Sequence, residues 1–363
     1  MDLNKITSPS FFIGKNSKDI ISFGSGQPDL PPPKEIELIT CNSSDFKYGL
    51  VQGEEWLRDA LSNQYNLTKK YTNSTKDSFV ITNGASEALD LTFRVLSNKE
   101  KKRNVLVPKP YYYSYPFTIN FSGLNPLYTE LKNGKIDFTD LEKKIDSCCA
   151  VLINSPSNPT GRVENIETLK KIENITNKKK ITVISDEVYK DLIYERENYF
   201  IKGPKVVTIN SFSKTYSMCG DRIGYLWSND DELVRKVIEM KTHTSMNTNI
   251  KAQKRAFLAT KIPKEYIENQ RKIWEKRRNL IYNGLKEIGF ELNKPEGAFY
   301  VLPKVKNSNK VIHDLYFDHN VVVYRGEWFG ANNHIRLSYA LDECKIKKGL
   351  KIINSYVKKN KIL

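Results

Sequence analysis

The chain has 363 residues, and 58 Lys and Arg against 42 Asp and Glu leave it a formal net charge of +16 at pH 7. With 39% hydrophobic and 28% charged residues it can bury a sizeable core, which excludes the disordered class and predicts one large or two medium globular domains. No run reaches the roughly eighteen consecutive apolar residues that a membrane span needs. The start MDLNKITSPSFFIGKNSKD lacks a signal-peptide hydrophobic segment, so the expected location is cytoplasmic, with no membrane partner.

The five cysteines (Cys41, Cys148, Cys149, Cys219, Cys344) form no CxxC pair and read as buried or incidental thiols. The four histidines (His243, His313, His319, His334) fall at no metal-binding spacing, so no metal is expected. Basic runs such as KEKKR and NKKK lie where turns and helix ends are expected and carry no aromatic interleaving. They read as solvated surface, and no nucleic-acid partner is expected.

In chain order, the first strong signals lie between residues 78 and 227. SFVIT (78–82), NVLVP (104–108), AVLIN (150–154), ITVIS (181–185) and VVTIN (206–210) are nearly continuous apolar runs, as strands buried on both faces should be, and IGYLW (223–227) follows. Helical segments separate them. In SEALDLTFRVL, for example, Leu89, Phe93 and Leu96 recur at the spacing of one buried helix face. The last third changes character: a long charged helix over 263–288, then GAFYVLP, a strand candidate at 320–324, HIRLSYA, and an amphipathic end over 342–357. The predicted fold is α/β, a mostly parallel central sheet sandwiched by helices, with a smaller α+β domain attached by a helix.

Open parallel sheets bind ligands beyond the carboxyl ends of their strands. After 78–82 come Asn83, Gly84, Ala85 and Ser86, which read either as a turn with a helix cap or as free N–H groups that take an anion. After 150–154 comes SPSNPTG, either a rigid turn or a device that points Asn158 into the crevice, with a cis bond before Pro159 as one way to hold it. Asp186 and Tyr189 follow 181–185. After 206–210, Lys214 sits beside Ser211 and Ser213, with Arg222 eight residues further on. A lone lysine is usually a surface residue, whereas one in a crevice with a carboxylate and an arginine can have its amine pKa lowered for imine chemistry.

The ordered blocks GQPDL, YGLVQGEEWLRDAL, NGASEAL, PKPYYYSYP, NSPSNPTG, SDEVY, SFSKTYSMCGDRIGY, GAFYVLP and IRLSYA resemble the class I/II aminotransferases, pyridoxal-phosphate enzymes of fold type I, and most of all their aspartate and aromatic members. The resemblance implies a large cofactor-binding domain over 30–279 and a small one, 1–29 with 280–363, that closes over the substrate. It implies pyridoxal 5'-phosphate as cofactor, held as an imine on Lys214, which also moves the proton. Asp186 would pair with the ring nitrogen, Asn158 and Tyr189 with the phenolate oxygen, and Tyr112 would stack on the ring. Gly84, Ala85, Ser86, Ser211, Ser213 and Arg222 would hold the phosphate, joined by Tyr48 of the neighbouring subunit in a homodimer. Arg336 would take the substrate carboxylate, helped by Asn158 and Gly26.

The implied reaction moves the amino group of an L-amino acid, of aspartate or aromatic type, to 2-oxoglutarate by ping-pong chemistry through pyridoxamine phosphate. Ser86 stands where aspartate-specific members often carry a lysine, which leaves dicarboxylate specificity open. The aromatic cluster Tyr111, Tyr112, Tyr113 and Tyr115 reads either as substrate-facing or, apart from Tyr112, as domain packing, and His243 reads as a surface residue. The alternatives are a lyase or decarboxylase of the same fold type, or a non-catalytic basic binding protein.

Overall fold

Six of the apolar runs become neighbours in one seven-stranded sheet: β1 (Phe79–Thr82), β2 (Asn104–Pro108), β4 (Cys148–Asn154), β5 (Thr182–Asp186), β6 (Val206–Ser211) and β7 (Gly224–Ser228), joined by β3 (Asn125–Thr129). The computed structural model describes Pro9 and residues 20–40, 42–67, 74–132, 134–195, 199–360 and 362–363. Cys41 and most of the first nineteen residues of the expected small domain lie outside these. The spatial order is β1-β7-β6-β5-β4-β2-β3.

All pairings among β2 to β6 are parallel, whereas β7 runs antiparallel to both β1 and β6. Between Ser211 and Gly224 the chain forms only the one-turn helix Phe212–Thr215. That is too short to carry it back across the sheet as a crossover, so the strand returns in the opposite sense. The edge strand β3 escaped the sequence reading because it is half-exposed and carries Pro126 at its second position. Both traits belong to edges and weaken an apolar run.

Successive side chains of the buried strands feed opposite cores. In β4, Val151 and Ile153 join a cluster with Leu57, Leu61 and Trp227. Ala150 and Leu152 join another with Leu89, Phe93 and Leu96, the predicted face of the helix Gly84–Lys99. Burial on both faces explains why these strands read as unbroken apolar runs.

A third core lies away from this sheet. Its strands are Tyr300–Val301, Ile335–Ser338 and Tyr324–Arg325, antiparallel with Ile335–Ser338 in the centre, and a parallel pair of Ile21–Ser22 with Val321–Val322. The run expected as one strand over 320–324 is thus split between two sheets. The helix Lys264–Ile288 links the cores: Tyr266 and Ile267 pack on the core beneath the large sheet, and Trp274, Ile281 and Leu285 belong to the third. Gly289 ends it in the left-handed region at φ 108°. The final helix, Glu343–Asn360, lies against it. No helix among the described residues is long and apolar enough to cross a membrane.

Trp274 is 1% exposed, meets Phe299 at a ring-centroid distance of 5.3 Å and lies beneath the guanidinium of Arg277. Trp274→Ala is predicted to lower stability by about 3–5 kcal/mol through the cavity it leaves. Urea unfolding followed by circular dichroism checks this, and an unchanged midpoint would mean the linking helix does not depend on this anchor.

Candidate active site

At the end of β1 the chain turns through Asn83 into the helix Gly84–Lys99, with Gly84 at φ 75°. Only glycine suits this point: a Cβ there would strain the backbone and lie 2.6 Å from Nη2 of Arg222. The first N–H groups of the helix have no partner within it and make an anion-seeking end. β7 passes so close that a Cβ on Gly224 would lie 2.8 Å from the Ala85 nitrogen. Ser211 caps the short helix Phe212–Thr215 by accepting from the Ser213 amide at 3.1 Å, and its hydroxyl meets that of Ser213 at 2.9 Å. Arg222, at φ 51°, donates to the Cys219 carbonyl at 3.0 Å and leaves the rest of its guanidinium beside Gly84.

The last residue of β5 is Asp186, 4% exposed. Its carboxylate accepts the hydroxyl of Tyr115 at 2.6 Å and the amide of Val188 at 3.3 Å. Burial pushes its pKa up to about 6; the bonds from Tyr115 and Val188 oppose the rise, Glu187 adds to it, and Lys214 counters it. From the end of β4, Asn154 donates to the Asp186 carbonyl at 3.1 Å and accepts the Asn158 amide at 2.8 Å. The bonds Ser155–Pro156 and Asn158–Pro159 are both cis. Asn158 is buried, with its side-chain oxygen turned to Arg336.

Lys214 donates to the Gly26 carbonyl at 2.7 Å. Burial above all, then the guanidinium groups of Arg222 and Arg336, push its ammonium below the ordinary lysine range, against the opposing influence of Cys219 and Asp186. Arg336, in the central small strand, is 2% exposed and bonds the Asn158 oxygen at 3.2 Å and the Gly24 carbonyl. Its guanidinium lies 4.6 Å from the ring centroid of Tyr300, 4.7 Å from Tyr324 and 4.8 Å from Phe329. Its Nε is buried without a partner, and none of its bonds within the described residues goes to a carboxylate. A buried guanidinium so arranged calls for an anion from outside the chain.

These groups meet around a cavity of about 400 Å³. Gly26, Ala85, Ser86, Tyr112, Asn158, Asp186, Tyr189, Ser211, Ser213, Lys214, Arg222 and Arg336 all line it, and Gly84 lies against Arg222 at its edge. Tyr48 does not join them: it is 83% exposed, in a surface hollow with Asn247 and Lys251. The Gly26 carbonyl faces Lys214 rather than Arg336, and His243 is exposed, outside the cavity.

Three functional residues went unread in the sequence. Tyr115 belongs to an aromatic cluster whose sequence reads equally as substrate-facing or as packing, Asn154 reads only as the end of a strand, and Tyr300, whose hydroxyl meets that of Tyr189 at 2.7 Å, lies inside GAFYVLP. Asn154 had a usable signal, a polar residue ending an apolar strand at the sheet's binding edge. The pairing of Tyr115 with Asp186 had none, since 71 residues separate them.

Comparison with known proteins agrees with this geometry. The family described as aminotransferase class I and II matches residues 18–353. A probable aspartate aminotransferase of Methanocaldococcus jannaschii is 34% identical over 362 residues, covering 93% of each chain. Among solved structures, an aspartate aminotransferase of Thermotoga maritima superposes with a TM-score of 0.88 at 27% identity over 99% of this chain and 97% of that one. An aromatic aminotransferase of Pyrococcus horikoshii gives 0.88 at 26% identity over 98% of this chain and all of that one (100%).

The raised pKa of Asp186 has a consequence for stability. Its contribution is fully present below the unfolded value, near 3.8, and is lost as pH rises through about 6. In protein freed of small-molecule ligands, Asp186→Asn is therefore predicted to be more stable than the parent at pH 8, by up to about 3 kcal/mol. The advantage should shrink towards pH 4. Urea titrations across this range check it, and a difference independent of pH would contradict the assignment.

Proposed function

The chain belongs to the class I and II aminotransferases, and on that premise we propose that it is a pyridoxal 5'-phosphate enzyme acting on an aspartate-type or aromatic L-amino acid, with 2-oxoglutarate as acceptor. The observation that carries this reading is the convergence on one cavity of a lysine of lowered pKa, a buried carboxylate and a buried arginine that lacks a counter-ion among the described residues. The donors named for the relatives, aspartate and aromatic amino acids, support the substrate class.

The residues present fit the cofactor. Its phosphate suits the helix N-terminus at Gly84, Ala85 and Ser86, with Ser211, Ser213 and Arg222 beside it and space that only a missing Cβ leaves open. A protonated ring nitrogen suits Asp186, because a nearby cation favours the ionised carboxylate that burial alone opposes. Tyr112 offers a ring face, and Asn158 and Tyr189 offer polar groups for the ring's oxygen. When bound, the cofactor supplies an electron sink for the pair released as the substrate Cα–H bond breaks.

The chain's own groups then divide the work. Lys214 would hold the cofactor at rest and, once the amino acid takes its place, would take the proton from the substrate Cα at its Nζ as general base and give it up again as general acid. Its lowered pKa keeps a larger share of the amine neutral at working pH than a solvent-exposed lysine would have. Arg336 binds the substrate's α-carboxylate, with Asn158 fixing the plane of the guanidinium. Gly26, whose carbonyl accepts from Lys214, lines the same space. We place the division at a large domain over 30–279 and a small one of 1–29 and 280–363 that closes on the substrate and excludes water. The exposed Tyr48 serves the phosphate of a neighbouring subunit in a homodimer, and the cytoplasm is the proposed location.

Lys214→Ala is predicted to fold normally yet lose transamination by at least about a thousand-fold. Undiminished turnover with aspartate, phenylalanine or tyrosine as donor would remove this lysine from the reaction. Arg336→Ala should raise KM for both amino acid and 2-oxo acid by roughly 100-fold while cofactor binding persists. Loss of the cofactor instead would place the arginine elsewhere. Turnover that needs no 2-oxo acid would favour a lyase or decarboxylase.

A further inference from the structure

One ion pair outside the cavity is more deeply buried than any role at the surface requires. Lys241, in the last turn of the helix Asp231–Thr242, has a fully buried side chain. Its Nζ donates to Oε2 of Glu87 at 3.0 Å and to the hydroxyl of Ser245 at 3.0 Å. The chain folds over it: the amides of Thr244, Ser245 and Met246 all donate to the Lys241 carbonyl.

Glu87 stands in the first turn of the helix Gly84–Lys99 and reaches back to the turn before it. Its Oε2 accepts the Asn83 amide at 2.6 Å, and its Oε1 accepts the Asn83 side-chain amide at 3.2 Å. The Asn83 side chain makes no cap bond to the helix, so the turn that aims Gly84, Ala85 and Ser86 is held by Glu87 together with the Thr82 hydroxyl, which donates to the Gly84 carbonyl at 2.9 Å. Burial opposes ionisation of Glu87, but Ser245, Lys241 and the Asn83 amide outweigh it and hold the carboxyl below the ordinary range.

A carboxylate here has two opposed effects. It fixes the turn, but it also places a negative charge within one helical turn of the end where a phosphate dianion would lie, and like charges in a low-dielectric site repel. Lys241 is the only cation within ion-pair distance of Glu87 among the described residues.

We infer that Glu87 and Lys241 are positioning residues for the cofactor's phosphate: Glu87 sets the Asn83–Gly84 turn, and Lys241 neutralises Glu87 so that the helix N-terminus stays attractive to an anion. This inference rests on the proposed use of pyridoxal phosphate and extends it to a pair that touches neither cofactor nor substrate.

The test compares binding of pyridoxal 5'-phosphate with that of pyridoxal, which lacks the phosphate, to the full-length protein by equilibrium dialysis. Lys241→Met should weaken pyridoxal phosphate roughly ten-fold or more and leave pyridoxal nearly unchanged, since an unpaired buried charge costs most where a second anion must approach. Lys241→Met combined with Glu87→Gln keeps an acceptor for the Asn83 amide and removes the charge. It should restore the ratio of the two affinities to within about three-fold of the parent. If Lys241→Met does not fold, Glu87→Gln alone decides: the ratio should shift in favour of the phosphate form. An unchanged ratio in every variant that folds, or equal loss of both ligands, would overturn the inference. Failure of the parent protein to bind either compound would overturn the cofactor reading along with it.

Discussion

Arg336 carries a positive charge in the interior with no carboxylate among the described residues to meet it, and the rest of the site is arranged around that fact. Three aromatic rings and two oxygens hold the guanidinium in place, at 2% exposure, without neutralising it. Lys214 and Arg222 line the same cavity, with Asp186 as the buried anion among them. Such a cavity favours anions before any chemistry begins, and the depressed pKa of Lys214 follows from its burial above all, with the same cations adding to it. Anionic ligands are what this charge distribution calls for.

The fold supplies that arrangement by bringing strand ends together. β1, β4, β5 and β6 each deliver polar residues at one edge of the sheet, and β7, returning antiparallel, brings Gly224 against the start of the helix Gly84–Lys99. Arg336 arrives from a different sheet, and its bond to Asn158 spans 178 residues of chain. The third core, continuous with Tyr189 and Val188 at the end of β5, ties the two sheets together without filling the crevice between them. Substrate and cofactor would therefore lie where two packed units meet, as in many open α/β folds.

Much of this was legible in the chain itself. Strands buried on both faces announce themselves as apolar runs, and the search just beyond each run found Asn158, Asp186, Lys214 and Arg222. The reading faltered where the physics is less local. Strand direction depends on connection length, so the reversal of β7 could not be read from IGYLW. The half-exposed edge strand β3 has no strong period. The pairs Tyr115 with Asp186, Tyr189 with Tyr300 and Lys241 with Glu87 join distant parts of the chain, and nothing in the local pattern of either member points to the other. Tyr48 is the reverse case: it was singled out by resemblance, and its side chain lies exposed, away from the cavity of its own chain.

Everything proposed for the site turns on Lys214 holding the cofactor and moving the proton while an amino group passes from one acid to another. The visible absorption spectrum of the purified protein with pyridoxal phosphate reads this directly, recorded before and after aspartate, glutamate, phenylalanine or tyrosine and again after 2-oxoglutarate. The band of the lysine-bound cofactor should bleach with a donor of the proposed class and return with the 2-oxo acid. A protein that forms no such band, or whose band no amino acid bleaches, would contradict the account.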